Sequence, residues 1–307
     1  MKNFYMGIDA GGTTYNLISA DKAGRVIFKV KKDALHLNTA GKDSFVKHLT
    51  EVIFLVCKKQ NLILKDCKGI CIGVAGARHT KDKDELARLI KEHLRYKNII
   101  LESDTEIARY GAFGGNDGLI LISGTGSILY GKIRNKIYRI GGWGKILGDE
   151  GSGYQIAVNA LKILAKEFDL NKYNSSLAKT LNKKFRITNV NLTEKVYRKN
   201  FDIQNLTPLI IELAKEGNKN YLMIIRKAVL ELVELINKFF ILSKEKKGDL
   251  VLCGSLIRKN NFFSAILKKE INKKFGKRII ISEPKYSPEF GAYLIAKNKF
   301  EKTNEKN

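Results

Sequence analysis

Two short segments rich in glycine and hydroxyl side chains are the first candidates for chemistry. They read AGGTT at residues 10–14 and GTGS at residues 124–127, and each follows an apolar run typical of a strand. Glycine lets an anion approach the backbone N–H groups of a turn, and threonine and serine add hydroxyl donors. A single turn of this kind is weak evidence, because Gly-rich hairpins are common without a ligand. Two such turns in one chain favour a polyphosphate ligand that is bound by one turn on each side.

Two aspartates stand at points where they could take part in phosphate chemistry. Asp9 comes just before AGGTT and could hold a hydrated Mg²⁺, since Mg²⁺ keeps several waters and takes few carboxylates. Its alternative role is that of an Asx-type turn residue. Asp104 ends the strand pattern NIILESD and begins a helix. It could accept a proton from a hydroxyl that attacks phosphorus, but the pattern alone favours a helix N-cap.

The densest glycine segment is GGWGKILGDEGSG at residues 141–153. It contains the single tryptophan of the chain, Trp143, and the acid pair Asp149 and Glu150. Glycine loses more backbone freedom on folding than any other residue. The segment is therefore either a floppy loop or a backbone that must approach a ligand. Glu150 could contact that ligand or supply charge at a helix N-terminus, and both alternatives stay open.

The elements that must position these residues follow a repeated order. Residues 4–19 and 118–133 both read strand, Gly-rich turn, strand, with Asp9 and Ser123 at equivalent points. Further strands are predicted near residues 24–32, 69–77, 98–104, 250–254 and 278–282, and helices near 43–60, 82–95, 104–113, 153–168, 175–185, 206–217, 220–246, 261–274 and 288–298. We interpret the repeat as an internal duplication that gives two α/β lobes.

The composition is that of a globular protein and excludes several classes. The chain has 307 residues, of which 44% are hydrophobic and 28% charged, a size that suggests two domains. Neither a GxxxxGK[ST] loop nor a strand-embedded GxGxxG is present. The four cysteines, at positions 57, 67, 71 and 253, show no metal-ligand spacing and suit a reducing compartment. No signal peptide or membrane span is predicted, so we expect a cytoplasmic protein without a membrane partner.

The net charge of +25 could attract nucleic acid or anionic lipid. The lysines are scattered, however, and few aromatic residues interleave with them. This distribution favours solvated surfaces and no specific nucleic-acid partner. Steeply salt-dependent binding to RNA or DNA would support the alternative.

Taken together, the motifs resemble the acetate and sugar kinase, Hsp70 and actin superfamily. More narrowly, they are similar to the BadF/BadG/BcrA/BcrD ATPase family and its N-acetylglucosamine kinase branch. The resemblance lies in GIDAGGTTYNL (7–17), GVAGA (73–77), ESDTEIA (102–108), GLILISGTGSI (118–128), GGWGKILGDEGSGYQIAVNAL (141–161), LCGS (252–255) and PEFGAYLIA (288–296). These segments keep the family's order and spacing over nearly the whole chain, and SGTGS combined with GGWGxxxGDEGS is highly specific.

The resemblance implies an α/β fold of the two-lobed actin-like ATPase (ribonuclease H-like) type. This fold has duplicated β-hairpin phosphate motifs and a central cleft. The first lobe would comprise residues 1–116 with 285–300, and the second lobe residues 117–284. Residues 301–307 would form a polar tail.

The resemblance also implies roles for individual residues. ATP would lie between two phosphate loops, formed by Gly11, Gly12, Thr13 and Thr14 and by Gly124, Thr125, Gly126 and Ser127. Gly254 and Ser255 would lie near the adenosine, with Ala214 as a weaker candidate, and Asp9 would hold Mg²⁺ through water. Asp104 would be the catalytic base that faces the sugar, which reverses the preference for a cap. The sugar site would be lined by Asn38, Ala75, Gly76, Asp104, Gly142, Trp143, Gly144 and Asp149.

The implied activity is ATP- and Mg²⁺-dependent phosphorylation of the 6-hydroxyl of an amino sugar by a homodimeric kinase. N-acetylglucosamine is the first candidate, and glucosamine and N-acetylmuramic acid are alternatives. The sugar stays open because His36 stands where the family often has asparagine. A nucleotide-dependent regulator or activator that acts on a protein partner is a further alternative. The iron–sulfur activators of the family are disfavoured, because Ser123 precedes GTGS and no cysteine lies near it.

Overall fold

Two five-stranded sheets organise the chain in the computed structural model, which describes residues 3–11, 14–35, 37–76, 80–198 and 201–304. The chain divides into two compact units. Unit 1 comprises Met1–Gly118 and Glu283–Asn307, and unit 2 comprises Leu119–Ser282.

The sheet of unit 1 has the order β3-β2-β1-β4-β5. Its first three strands are antiparallel, and β4 and β5 run parallel to β1. The strands are β1 (Phe4–Ala10), β2 (Thr14–Asp21), β3 (Val26–Asp33), β4 (Cys67–Val74) and β5 (Ile99–Ser103). The helices are α1 (Leu37–Ala40), α2 (Lys42–Lys59), α3 (Thr80–Leu94) and α4 (Asp104–Phe113).

The sheet of unit 2 has the order β10-β9-β6-β7-β8, which is the order of unit 1 listed from the opposite edge. The strands are β6 (Gly118–Ser123), β7 (Ser127–Ile133), β8 (Lys136–Gly141), β9 (Gly248–Cys253) and β10 (Ile279–Ser282). The helices are α5 (Gly153–Asp169), α6 (Ser176–Phe185), α7 (Leu192–Tyr197), α8 (Thr207–Lys215), α9 (Lys219–Ser243) and α10 (Phe262–Phe275). The predicted α/β class and the duplicated hairpin are confirmed.

The last helix, α11 (Pro288–Asn304), returns to unit 1. Side chains of β1 alternate between two cores, as strand geometry requires. Phe4, Met6 and Ile8 pack in the core that α2 and α3 cover. Tyr5 packs on the other face with residues of α4 and α11. Because helices cover both faces, β1 is buried over nearly its whole length.

The core of unit 2 is built around α9, whose 25 residues bury one apolar face. Buried positions recur along that helix at intervals of three and four residues, as helical periodicity predicts. Helices α5 and α8 pack against α9 in the same core. No helix of the described residues combines the length and the apolar character that a membrane span needs.

Glycines set how closely α11 approaches the sheet of unit 1. A Cβ atom on Gly7 of β1 would overlap the carbonyl oxygen of Glu289 and the amide nitrogen of Tyr293. A Cβ atom on Gly291 would likewise overlap backbone atoms of α4 at Ile107 and Gly111. These obstacles are backbone, so they cannot move aside as a flexible side chain can. The last helix therefore packs closely against β1 because β1 carries Gly7, and closely against α4 because α11 carries Gly291.

We predict that Gly7→Ala destabilises the protein by about 3 kcal/mol, because α11 must shift as a whole to accept the methyl group. Gly217→Ala is the matched control. Gly217 follows α8 with φ of +93° and has open space around its Cβ position, so alanine there adds only backbone strain of about 1 kcal/mol. Thermal unfolding measures both effects. Equal losses of Tm for the two variants would contradict the close packing of α11.

Candidate functional site

The two Gly-rich turns close with a similar backbone bond. In unit 2 the N–H of Gly124 donates to the carbonyl of Gly126 over 2.9 Å. In unit 1 the N–H of Gly11 donates to the carbonyl of Thr14 over 3.1 Å. The predicted loop residues Gly12 and Thr13 lie outside the described residues. In each hairpin a glycine after the first strand thus donates to a carbonyl at or next to the start of the second strand.

The second hairpin is bonded to the segment that precedes α5. The hydroxyl of Ser123 donates to the carbonyl of Gly151 over 2.8 Å, and that of Ser127 donates to the carbonyl of Glu150 over 2.6 Å. The N–H of Gly153 donates to the carbonyl of Gly124 over 2.7 Å. The turn and the DEGSG segment therefore form one hydrogen-bonded body. The hydroxyl proton of Ser127 is engaged inside it, whereas the side chain of Thr125 is exposed at the turn.

Two structural requirements explain glycine in residues 141–153, namely a positive φ and close contact with neighbouring atoms. Gly142 and Gly151 adopt φ of +68° and +77°, a region that favours glycine. A Cβ atom on Gly151 would lie 2.7 Å from the carbonyl oxygen of Ala228 in α9. Residues 149–153 therefore pack between the hairpin and α9, whereas Ile146 and Leu147 earlier in the segment are exposed. This packing favours an ordered backbone over a floppy loop for the end of the segment.

Asp149 lies against the second hairpin. Its side chain is 9% exposed, and a Cβ atom on Gly126 would lie 2.8 Å from its Oδ2. Asp149 itself has φ of +61°, which is uncommon for a residue with a side chain. The structure thus brings the carboxylate of Asp149 to the GTGS turn, and the missing side chain at Gly126 makes the room for it.

Trp143 stands on the outer part of the same segment. Its ring is 65% exposed, and the guanidinium of Arg139 lies 5.1 Å from the ring centroid. Arg139 also donates to the carbonyl of Gly142, so it fixes the backbone before the tryptophan. The side-chain amide of Gln155 donates to the carbonyl of Lys145 over 3.1 Å and ties this part of the loop to α5. The next residue after Trp143, Gly144, has open space at its Cβ position.

The predicted adenosine contacts separate into two groups. Gly254 has φ of +91°, and a Cβ atom there would overlap the carbonyl of Ser123. Ser255 Oγ lies 3.4 Å from the Cβ position of Gly124, so this pair is beside the second hairpin. Ala214 is different. It is 2% exposed within α8 and packs in the core of unit 2, which removes it as a nucleotide contact.

In unit 1, parallel pairing brings three predicted positions to one sheet edge. Asp9 is the penultimate residue of β1, and Ala75 and Asp104 directly follow β4 and β5. The N–H of Ala75 donates to the carbonyl of Ala10 over 3.2 Å. Gly76 follows with φ of +88°. The carboxyl ends of parallel strands form the edge where α/β sheets bind ligands. Asn38 lies on α1 with its side chain outside the description, and His36 is not among the described residues.

Asp104 does not cap α4, so the cap suggested by the pattern alone is wrong. The N-cap is Ser103, whose Oγ accepts from the N–H of Glu106 over 3.1 Å. Asp104 is the first helical residue, and its Oδ1 accepts from the N–H of Thr105 over 2.8 Å. Serine and aspartate are both good caps, and the helix begins at Asp104, one residue earlier than an aspartate cap would require. The carboxylate of Asp104 is consequently placed in the first turn of α4.

Asp9 is a desolvated carboxylate with other carboxylates near it. Burial raises the pKa of Asp9 to about 7, although the hydrogen bond from Asn16 lowers it, and the charges of Asp104 and Glu289 raise it further. The side-chain amide of Asn16 donates to Asp9 Oδ2 over 3.4 Å. Such a site favours a bound cation, which would offset the cost of ionising Asp9.

Glu289 is a part of this arrangement that the sequence analysis missed. It is 4% exposed, and the ammonium of Lys29 lies 2.8 Å from its Oε1. Burial alone would raise the pKa of Glu289, but hydrogen bonds from Lys29 and Ser287 outweigh it and hold the pKa below its ordinary range. An ionised Glu289 therefore acts on Asp9 from α11. The signal available in the sequence was the acid in PEFGA at the start of that helix.

The residues fit a magnesium ion that is held mainly by water. Among the described residues, no group of three or more histidine, cysteine, aspartate or glutamate side chains could enclose a metal ion. Mg²⁺ that keeps its waters needs only one or two carboxylates and the phosphates of its ligand. The desolvated carboxylate of Asp9 meets that requirement, so Asp9 is the residue of unit 1 that would hold it.

A cavity of about 300 Å³ lies elsewhere in unit 2, between α5 and α7. Apolar and aromatic side chains such as Val158 and Tyr154 line it, together with Lys162. It contains none of the predicted site residues, and the candidate site is defined by the strand ends and hairpins instead.

Comparison with known proteins identifies the family. Residues 6–296 match the sequence profile of the BadF/BadG/BcrA/BcrD ATPase family, and the chain belongs to this family. It is 32% identical to the N-acetylmuramic acid/N-acetylglucosamine kinase of Clostridium acetobutylicum, over 96% of this chain and 98% of that protein. It is 30% identical to the N-acetyl-D-glucosamine kinase of Dictyostelium discoideum, over 97% of this chain and 98% of that protein.

The fold also has a close counterpart among solved structures. A Chromobacterium violaceum protein assigned as an N-acetylglucosamine kinase superposes with a TM-score of 0.77 at 20% identity. The match covers 96% of this chain and 99% of that one. The actin-like ATPase fold that the sequence motifs imply is thereby confirmed.

We predict that Asp9→Asn makes the metal-free protein more stable at pH 8 than at pH 5, relative to wild type. Because the folded pKa of Asp9 is about 7 against an ordinary value of 3.8, the folded protein keeps a proton there that the unfolded chain has released. Ionisation of Asp9 therefore lowers the free energy of unfolding as the pH rises from about 4 to 7. The full cost is about 4 kcal/mol above pH 7.

Thermal unfolding in the presence of EDTA checks this prediction. The gain in Tm of Asp9→Asn over wild type should grow between pH 5 and pH 8. Asp84→Asn is the control, because Asp84 is exposed on α3. A gain that does not change with pH would contradict the desolvation of Asp9.

We predict that Ser123→Ala loosens residues 149–156. The buried carbonyl of Gly151 then loses its donor, which costs about 1–3 kcal/mol. Hydrogen exchange of the amides in this segment should become faster. Thr125→Ala, which removes an exposed hydroxyl from the same turn, should leave the exchange rates unchanged. Unchanged protection in Ser123→Ala would show that the hairpin does not hold the segment.

Proposed function

We propose that this protein is an ATP-dependent kinase that phosphorylates the 6-hydroxyl of an amino sugar, with N-acetylglucosamine as the first candidate. The observation that carries the proposal is the alignment with two curated sugar kinases. They are 32% and 30% identical to the chain over 96% and 97% of its length. An alignment of that extent and the matching family support a phosphotransferase with an alcohol acceptor.

Asp104 is the proposed catalytic base. It would accept the proton of the 6-hydroxyl while that oxygen forms a bond to the γ-phosphorus and the bond to the β,γ-bridging oxygen breaks, releasing ADP. Its position supports this role, because it follows β5 at the ligand-binding edge of the sheet and Ser103 supplies the helix cap in its place. The bond from Thr105 N–H orients one carboxylate oxygen.

The hairpins are the proposed phosphate-binding elements. The backbone N–H groups near Gly11 and Gly124, with the hydroxyls of Thr14 and Thr125, would donate to phosphate oxygens. Gly254 and Ser255 are proposed to lie near the adenosine. Their place beside Gly124 supports that role. Fixed donors of this kind stabilise the charge on a phosphoryl group during transfer.

Asp9 is proposed to hold Mg²⁺ through water. The ion, when bound, would neutralise charge on the phosphates. Asp9 contributes a single carboxylate whose burial makes a nearby cation favourable.

The proposed sugar contacts are Asn38, Ala75, Gly76, Gly142, Trp143, Gly144 and Asp149. N-acetylmuramic acid is the second candidate substrate, because the C. acetobutylicum relative is named for both sugars. The cytoplasmic location and the homodimer stay predictions. Light scattering after size-exclusion chromatography would test the dimer.

ADP release measured with a panel of sugars tests the function. We expect sugar-dependent ADP with N-acetylglucosamine, and comparison with N-acetylmuramic acid, glucosamine and glucose defines the specificity. If none of these sugars stimulates ADP release, the proposed function is wrong. ADP release that is stimulated only by a protein partner would favour the regulator of the same family.

We predict that Asp104→Asn lowers kcat by about 100-fold or more, because asparagine cannot accept the proton. ATP binding, followed by calorimetry, should change little, since the amide oxygen can still accept from Thr105 N–H. Asp84→Asn on α3 of the same unit is the matched control and should keep full activity. Wild-type turnover by Asp104→Asn would remove Asp104 as the base.

A further inference from the structure

Arg109 is a charged side chain in a place where charge is costly. It lies on α4, is 1% exposed, and is among the largest fully buried side chains of the described residues. Moving a guanidinium out of water costs several kcal/mol even when it is paired, and apolar side chains of the same volume are often as stable. Stability alone therefore does not explain an arginine at this position.

The guanidinium fixes α4 at two points. Its Nε and Nη2 donate to the two carboxylate oxygens of Glu106, over 2.9 and 2.6 Å. Its Nη1 donates to the carbonyl of Asn116 over 2.9 Å. Because α4 ends at Phe113, the arginine connects the first turn of the helix to the chain beyond its last turn. A fork-shaped pair of bonds also fixes the rotation of the Glu106 side chain.

Glu106 belongs to the same turn as Asp104. Its N–H donates to Ser103 Oγ over 3.1 Å, and that hydroxyl lies 2.9 Å from the hydroxyl of Thr105. The N–H of Thr105 in turn donates to Asp104 Oδ1 over 2.8 Å. Hydrogen bonds that are joined through the residues Glu106 and Thr105 thus connect the buried guanidinium to the carboxylate of Asp104.

The pair also balances charge near the site. Glu102, Asp104 and Glu106 place three carboxylates within five residues. Arg109 is the cation that faces Glu106, and Lys83 lies 3.8 Å from Glu102. Arg109 therefore partly offsets the charge of Glu106 next to the other carboxylates.

We propose that Arg109 and Glu106 are positioning residues, which hold the first turn of α4 so that the carboxylate of Asp104 keeps the direction needed for proton transfer. This inference rests on the proposed function of Asp104. A displacement of about 1 Å at a reacting group can lower a rate about 100-fold, so a loose first turn affects kcat more than substrate binding.

The test is the double variant Arg109→Met/Glu106→Met. Methionine is close to glutamate in length and gives an unbranched apolar chain in place of arginine, and removing both charges together leaves neither unpaired, so the Tm should stay near the wild-type value. We expect kcat to fall roughly 10- to 100-fold, with KM for ATP and for the sugar within about twofold of wild type. Hydrogen exchange at residues 104–106 should be faster. Arg109→Lys, which keeps the charge and loses the fork, should have an intermediate kcat.

The matched control is Arg88→Met/Glu92→Met. This pair lies on α3 of the same unit, with the side chains 63% and 56% exposed and joined over 2.8 Å. It should leave kcat and exchange at residues 104–106 unchanged.

The possible outcomes separate the inference from the proposed function. An active wild type with unchanged kcat in the double variant overturns the inference alone. If the double variant does not fold, Arg109→Lys decides, and a wild-type kcat in that variant overturns the inference. If the wild type turns over no sugar, the proposed function is wrong, and unchanged exchange at residues 104–106 in the variants would overturn the positioning role as well.

Discussion

Parallel strand pairing at the centre of each sheet is the interaction on which the candidate site depends. In unit 1 the register pairs Ala10 with Val74 and Val74 with Ser103, so β1, β4 and β5 end at one edge. In unit 2, β6 and β9 pair in parallel, with Ile122 opposite Cys253. The turns that follow these parallel strands therefore lie at the same edge of each sheet. The chemistry-bearing residues of each unit are therefore close together although they are far apart in sequence.

The site keeps this geometry at a cost in stability. An ionised Asp9 is partly desolvated, Asp149 adopts a positive φ, and Arg109 is a fully buried charge. A different side chain at each of these positions would give a higher free energy of unfolding, so stability alone does not account for these features. Glycine makes the close approaches possible, at Gly7 against α11 and at Gly126 against Asp149. The many glycines of residues 141–153 include further positions where the absence of a side chain permits a close contact, such as Gly151 against α9.

Local pattern was sufficient for much of the fold and for the strand-end residues. The hairpin strands, their duplication and the place of Asp9 follow from short apolar runs and glycine-rich turns. Strand β8 was missed because it is a short edge strand, and its apolar residues Ile137, Tyr138 and Ile140 do not alternate regularly with polar ones. The cap of α4 could not be assigned from composition, since Ser103 and Asp104 are both capable caps and only the backbone decides. The partners of Ser123 and Ser127 lie more than twenty residues away. Arginine is rarely buried, so no pattern indicated the burial of Arg109.

The central claim is that the strand-end carboxylate of Asp104 and the two hairpins serve phosphoryl transfer to a sugar hydroxyl. The most direct measurement is ³¹P NMR of the products formed from ATP and N-acetylglucosamine. The account predicts a phosphomonoester whose phosphorus couples to the two protons on carbon 6, in equal amount with ADP. Inorganic phosphate without a sugar phosphate, or a phosphate on the anomeric oxygen, would contradict it.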